Sequence, residues 1–157
     1  MRIDATDKKI LEIMQTDGRI TNSKLASLIG ISPPATLERV RHLEASGVIS
    51  RYAALVDREK IGLGVMAIVS VSLAVHEMTS VDKIKARLLE LDEVLECHMV
   101  SGEDDFVLKV ALESIHSYSD FAMQKLASIP GIQNFKSSFV LTTIKNSTCF
   151  PIKAIEE

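Results

Sequence analysis

Apolar residues recur at helical spacing through the first third of the chain and switch to strand-like runs after residue 60. In DATDKKILEIMQTDG, Ile10, Leu11, Ile13 and Met14 gather on one helical face, while Asp4 and Asp7 suit a helix start and Asp17-Gly18 its end. TNSKLASLIG reads as a shorter helix with Thr21 as N-cap, Leu25, Leu28 and Ile29 inward, and Gly30 as the stop. ISPPATLERVRHLEASGVI then opens a third helix at Ser32. A first helical turn has amides without intrahelical partners, so Pro33 and Pro34 lose nothing there, and Pro33 holds Ser32 in the extended conformation of a cap. Leu37, Val40 and Leu43 form the expected inward stripe, leaving Thr36, Glu38, Arg41 and His42 on the opposite side. ISRYAALVD alternates as a strand and would set Arg51 and Tyr52 beside the helices as a small wing.

Two helices joined by a short glycine-containing turn, the second with a polar outer face, describe a helix-turn-helix. Short hydroxyl side chains let a backbone approach a DNA groove, and an exposed helix N-terminus favours phosphate. Arg39 stands apart: its direction suits pairing with Glu12 or Glu44 instead of DNA.

Beyond residue 60, VMAIVSVSLAV is a β-branched run that reads as a buried strand. TSVDKIKARLLELDEV is a helix with Val81, Ile84, Leu88 and Leu91 inward, and VLECHMVSG and DFVLKVALE are strands joined by a turn at Gly102–Asp105. HSYSDFAMQKLASIPGI is a second helix closed by Pro130-Gly131, and FKSSFVLTTIK a last strand. The order β-α-β-β-α-β is that of a ferredoxin-like sandwich. Two helices cover one face of its sheet, and the natural cover for the other is a second copy of the chain. The expected organisation is α+β: residues 1–60 a winged helix-turn-helix with its linker, residues 61–157 the ferredoxin-like module.

Charge supports the division. Residues 1–60 hold ten basic and eight acidic side chains, net +2, whereas 61–157 hold eight and thirteen, net −5, so the chain's −3 conceals two modules with different partners. No apolar run is long enough to cross a bilayer, the opening MRIDATDKK is too charged for a signal peptide, and two cysteines make no disulfide framework. The expected setting is the cytoplasm.

Candidate chemistry is sparse. Cys97 and His98 are adjacent on a strand and point to opposite faces, His76, His98 and His116 are scattered, and no catalytic set, metal site or cofactor is expected. An enzyme on the same two-domain plan would need basic and histidine or tyrosine side chains around a large pocket, and the second module has one arginine, Arg87. The Ser101–Asp105 loop has two readings. Acids are common in hairpin turns. Alternatively, the backbone amides of the loop at Gly102 would take the carboxylate of a small zwitterion, and Asp104 or Asp105 its ammonium.

DKKILEIMQTDGRITNSKLASLIGISPPATLERVRHLEASGVISRYAALVD, EVLECHMVSGEDDFVLKV and IPGIQNFKSSFVLTTIK, in this order and at these spacings, resemble the Lrp/AsnC family of transcriptional regulators over nearly the full chain. The resemblance implies a DNA-binding unit followed by an effector-binding and assembly unit, with amino acids as effectors and dimers building octamers. It implies that Ser32, Pro33, Pro34, Thr36, Leu37 and Arg41 fall on the surface that reads double-stranded DNA, with phosphate contacts at Thr21 and Asn22. Gly102 and Asp105 match its effector-loop motif, and Gln133 and Ser137 its pocket-completing segment. Glu38 and His42 stand where relatives frequently carry arginine.

Overall fold

The computed structural model describes residues 3–74 and 81–153. By their contacts these form two units, residues 3–55 with 145–153, and residues 56–144.

In the first unit, α1 (Ala5–Thr16) starts with a capping box: the Asp4 carboxylate accepts from the Thr6 and Asp7 amides, and Asp7 accepts in return from the Asp4 amide. α2 (Asn22–Ile29) and α3 (Pro33–Ala45) follow. Ile10, Leu11, Leu25 and Leu43 form the buried cluster, with Ile3, Ile13, Met14, Ile20, Ile29, Val40, Ile49 and Ile152 packed around it.

Two side chains expected inward are exposed, Leu28 at 58% and Leu37 at 38%, while Ala26 and Thr36 are buried instead. On α3 the inward positions are 36, 40 and 43, spaced four and three apart. Steps of three from Leu37 drift by about 60° each around a helix of 3.6 residues per turn and leave the face. Thr36 tolerates burial because its hydroxyl donates to the Ser32 carbonyl at 3.0 Å.

Residues 49–57 are expected as a strand, and none forms there. A lone extended segment has no ladder partner within the unit, so its backbone groups stay with solvent. Tyr52 is nevertheless fixed beside the helices, its hydroxyl donating to Glu44 at 2.7 Å.

The division expected at residue 60 puts the chain's end with the second module, but by its contacts the tail from Lys145 to Lys153 lies with the first. The Gln15 side-chain amide acts as a strand partner for the tail: Nε2 donates to the Phe150 carbonyl at 3.1 Å, and Oε1 accepts from the Phe150 amide at 2.6 Å. Ile152 joins the core cluster.

The second unit contains β1 (Val65–Leu73), α4 (Val81–Leu89), β2 (Val94–Met99), β3 (Phe106–Leu112), α5 (Ile115–Asp120), a π-helical continuation (Phe121–Leu126) and β4 (Ile132–Phe139). The antiparallel sheet runs β2-β3-β1-β4, the order of a ferredoxin-like fold. Ala67, Val69, Val71 and Leu73 alternate inward from β1 and meet Phe106, Leu108 and Val110 of β3. Ile84 and Leu88 of α4, Tyr118 of α5, and Phe121 and Leu126 of the wide turn complete this core.

Cys97 packs against the core from β2 while His98 is exposed, as their adjacency requires. The last strand begins and ends earlier than its apolar run suggests: its pairing ends with Phe139 opposite Ala67 and one further bond from the Val140 amide to the Met66 carbonyl at 2.9 Å, and Leu141 is 98% exposed. The expected end of the first strand and the Thr79-Ser80 start of its helix fall at residues 75–80, outside the described residues.

A chain shortened to end at Ile144 should lose stability in its first unit, and Gln15→Ala should cost that unit about 1 kcal/mol in denaturant unfolding. Unchanged unfolding of both would show that the tail is no part of this unit's core.

Candidate nucleic-acid interface and effector loop

The turn between α2 and α3 is three residues long, Gly30-Ile31-Ser32. Gly30 adopts φ of +81°, a left-handed conformation that ends α2 and redirects the chain at little cost for a residue without Cβ. Ser32 is extended and caps α3, its hydroxyl accepting from the Ala35 amide at 3.4 Å. Asn22, the first residue of α2, donates its side-chain amide to the Pro33 carbonyl at 2.8 Å and so ties the two helix starts together. Thr21 caps α2 by accepting from the Lys24 amide at 3.3 Å.

α3 accordingly exposes Ser32, Pro33, Pro34, Leu37, Glu38, Arg41 and His42. Thr36, expected on this surface, is buried beneath it. The α3 N-terminus also differs from the expected phosphate site. Pro33 and Pro34 have no amide hydrogen, Ala35 donates to the Ser32 hydroxyl, and Thr36 donates to the Ser32 carbonyl at 2.9 Å. Every amide of that first turn is absent or used. Arg51 is exposed and, with Met14, Val48 and Phe150, lines a cavity of about 370 Å³ in the first unit.

Arg39 pairs with neither expected acid. Its Nη1 donates to Asp4 at 2.7 Å and to Asp7 at 2.8 Å, while Glu12 sits near Lys8 at 3.6 Å and Glu44 accepts from Tyr52. The Asp7 amide and Arg39 hold the Asp4 carboxyl below the usual carboxylate range. The spacing Asp4-x-x-Asp7 was legible as a cap, and its second role as an arginine acceptor was not.

In the second unit, Asp105 is fixed three times at the end of β1. Its Oδ2 accepts from the Leu73 amide at 2.7 Å, its amide donates to Val71 at 2.9 Å, and its carbonyl accepts from Val100 at 3.0 Å. Asp104 accepts from the Ser72 hydroxyl at 3.0 Å. Ser101 is exposed, and Gly102, at φ of +149°, has open space where a Cβ would stand. Gln133 is the extra residue of a bulge opposite Ser72 and Leu73, so the loop and the start of β4 meet at one end of the sheet. Ser137 lies further along β4, opposite Val69, and its hydroxyl is paired with that of Tyr118. The structure thus gathers Asp104, Asp105 and Gln133 around the end of β1 and places Ser137 on the helix-covered side.

Residues 66–149 match the model of the Lrp/AsnC ligand binding domain, and residues 3–50 that of a winged helix-turn-helix DNA-binding domain. The chain is 36% identical over 147 residues to the leucine-responsive regulatory protein of Rhizobium meliloti, covering 94% of each. It is 31% identical to the transcriptional regulator AzlB of Bacillus subtilis, covering 96% of each. Among solved structures, a transcriptional regulator of Neisseria meningitidis in complex with L-Met is similar with a TM-score of 0.91 and 36% identity, covering 94% of this chain and 96% of that one. AsnC of E. coli is similar at 0.86 and 27% identity, covering 94% of this chain and 98% of that one.

The hydroxyl of Tyr52, desolvated and bonded to Glu44, has its pKa pushed up to about 12. Folding then favours the protonated phenol, so this contribution to stability is complete below the unfolded value of about 10 and is lost as pH rises towards 12. With Tyr118→Phe leaving Tyr52 as the sole tyrosine, absorbance titration should give a midpoint near 12. A midpoint near the free-phenol value would show that Tyr52 is not held by Glu44.

Proposed function

The chain belongs to the Lrp/AsnC family, and from that premise we propose that its Ser32–His42 surface reads operator DNA while its Ser101–Asp105 loop takes an amino acid that modulates the binding. The protein is a transcriptional regulator with a DNA-binding unit and a ligand-binding unit, like the relatives it matches over most of its length. The observation that carries the reading is the exposed face of α3, where Arg41 and His42 stand in line with Ser32 and Leu37 on a helix whose start is pinned to α2. Arg41 reads a base edge, a role guanidinium performs by donating two hydrogen bonds to guanine. The amides at the start of α2, beside Thr21 and Asn22, meet phosphate.

The effector is an amino acid or a related small metabolite; the Neisseria relative was solved with L-Met. Gly102 lets the ligand carboxylate approach the backbone, and Asp104 and Asp105, already oriented by β1, face its ammonium with their remaining oxygens. Gln133 borders the same end of the sheet, and Ser137 supports β4 from the helix side. The regulator works in the cytoplasm as a homo-oligomer, a dimer assembling to an octamer. The support for assembly is the sheet face that bears Met66, Ile68 and Val107, which no helix of the second unit covers among the described residues.

Arg41→Ala should weaken binding to a selected operator duplex by on the order of 1–3 kcal/mol in fluorescence anisotropy; unchanged affinity would remove Arg41 from the readout. Asp105→Asn keeps an acceptor for Leu73 while removing the charge. It should fold normally and lose the rise in Tm that the matching amino acid gives the unaltered protein. A variant that responds as before would move the effector elsewhere.

A further inference from the structure

Among the described basic residues of the DNA-binding unit, Arg39 is the one that bonds two acids of another helix. It lies on α3 two residues before Arg41, yet its guanidinium bonds the first turn of α1 through both Asp4 and Asp7. Asp7 is buried, and its carboxylate has two tasks, accepting from the Asp4 amide and from Arg39. A carboxylate so placed favours a cation beside it, because a buried charge without a partner is destabilising. We infer that Arg39 is a positioning residue, not a DNA contact: it locks the reading helix to the N-terminus of α1 and so sets the direction in which Arg41 leaves the unit. The inference rests on the DNA reading of α3 given above.

Three features make the lock directional. One nitrogen, Nη1, is shared by two acids. Both acids are held by the capping box, which fixes them to the α1 backbone. Leu43, the fully buried α3 residue of the cluster shared with Ile10 and Leu11 of α1, lies near the end of α3, four residues beyond Arg39. Apolar packing at one end lets a helix swing, and a charge-assisted contact nearer its middle stops the swing. Lys would keep the charge but present a compact ammonium in place of a planar fork.

The test measures anisotropy of the full-length chain on a duplex obtained by selection with the unaltered protein, over a series of salt concentrations. Arg39→Met should lower affinity roughly tenfold at every salt and leave the slope of log affinity against log salt unchanged, whereas Arg41→Ala reduces the slope if that side chain also neutralises phosphate. Arg39→Lys should recover part of the loss. The sharper variant is Asp4→Asn with Asp7→Asn. Asparagine is a good N-cap, so α1 keeps its start. Removing two negative charges from a DNA-binding unit strengthens attraction to phosphate, so a purely electrostatic account expects tighter binding; the positioning role expects weaker binding, with no further loss when Arg39→Met is added. A salt slope reduced by about one in Arg39→Met, or tighter binding by the aspartate variant, would overturn the inference. So would unchanged affinity in Arg39→Met. Selection that recovers no duplex with the unaltered chain would instead overturn the DNA reading itself, and the inference with it.

Discussion

A unit of some sixty described residues, whose buried cluster among them is Ile10, Leu11, Leu25 and Leu43, has little apolar surface with which to hold three helices. Polar contacts make up the difference, and each joins a different pair of segments. Arg39 ties α3 to α1, Asn22 ties α2 to α3, Tyr52 ties the following segment to α3, and Gln15 ties the tail to α1. A single such bond contributes about 1 kcal/mol net, small against the chain's conformational entropy but large against the margin of a small domain. The hydrophobic contacts bring the helices together, and the polar ones fix their angles.

In the second unit the corresponding constraint is the length of β1. It pairs with both β3 and β4 and lies between them in the sheet, so its last residues are reached from both sides. Asp105 uses its backbone on Val71 and its side chain on Leu73, Asp104 takes Ser72, and the Gly131 carbonyl accepts from Ala74. The acids of the turn therefore extend the strand ladder with side chains where the neighbouring backbone departs. This joins the two readings of the loop: acids suited to a hairpin turn are also carboxylates held at defined positions.

Most of the element order was legible because hydrophobic spacing and helix caps are local. Asp4, Thr21 and Ser32 each cap as their sequence context suggests, and the strand runs fall where β-branched residues cluster. What was not legible depends on tertiary partners. Leu28 and Leu37 have helical spacing that suits burial, but the helices present other sides to one another. The segment after α3 alternates like a strand and lacks a strand to pair with. The tail has no periodicity of its own, and the side-chain amide of Gln15, a residue of ordinary appearance on α1, supplies its hydrogen bonds. At the loop, glycine and acids marked the place, but only the register of β1 against β4 separates Gln133 at the sheet's end from Ser137 beneath the helices.

The two prolines of α3 have a consequence for how such a unit meets DNA. A helix that begins Ser-Pro-Pro keeps the positive end of its dipole yet offers no free amide hydrogen in its first turn, since Ser32 consumes the two donors that remain. Phosphate needs donors as well as field. α2 has what α3 lacks: its Thr21 cap occupies the Lys24 and Leu25 amides, leaving those of Asn22 and Ser23 at its first positions. On the proposed reading, backbone anchoring thus falls to α2, and α3 is left to present side chains and proline rings to the groove. Separating the tasks makes the spacing between the two helix starts decisive, because a phosphate and a base edge lie at fixed separation on a duplex. The Asn22 side chain, bonded to the Pro33 carbonyl, holds that spacing. Its side-chain amide therefore serves the register of the interface by fixing the two helix starts, whichever phosphate its own backbone meets.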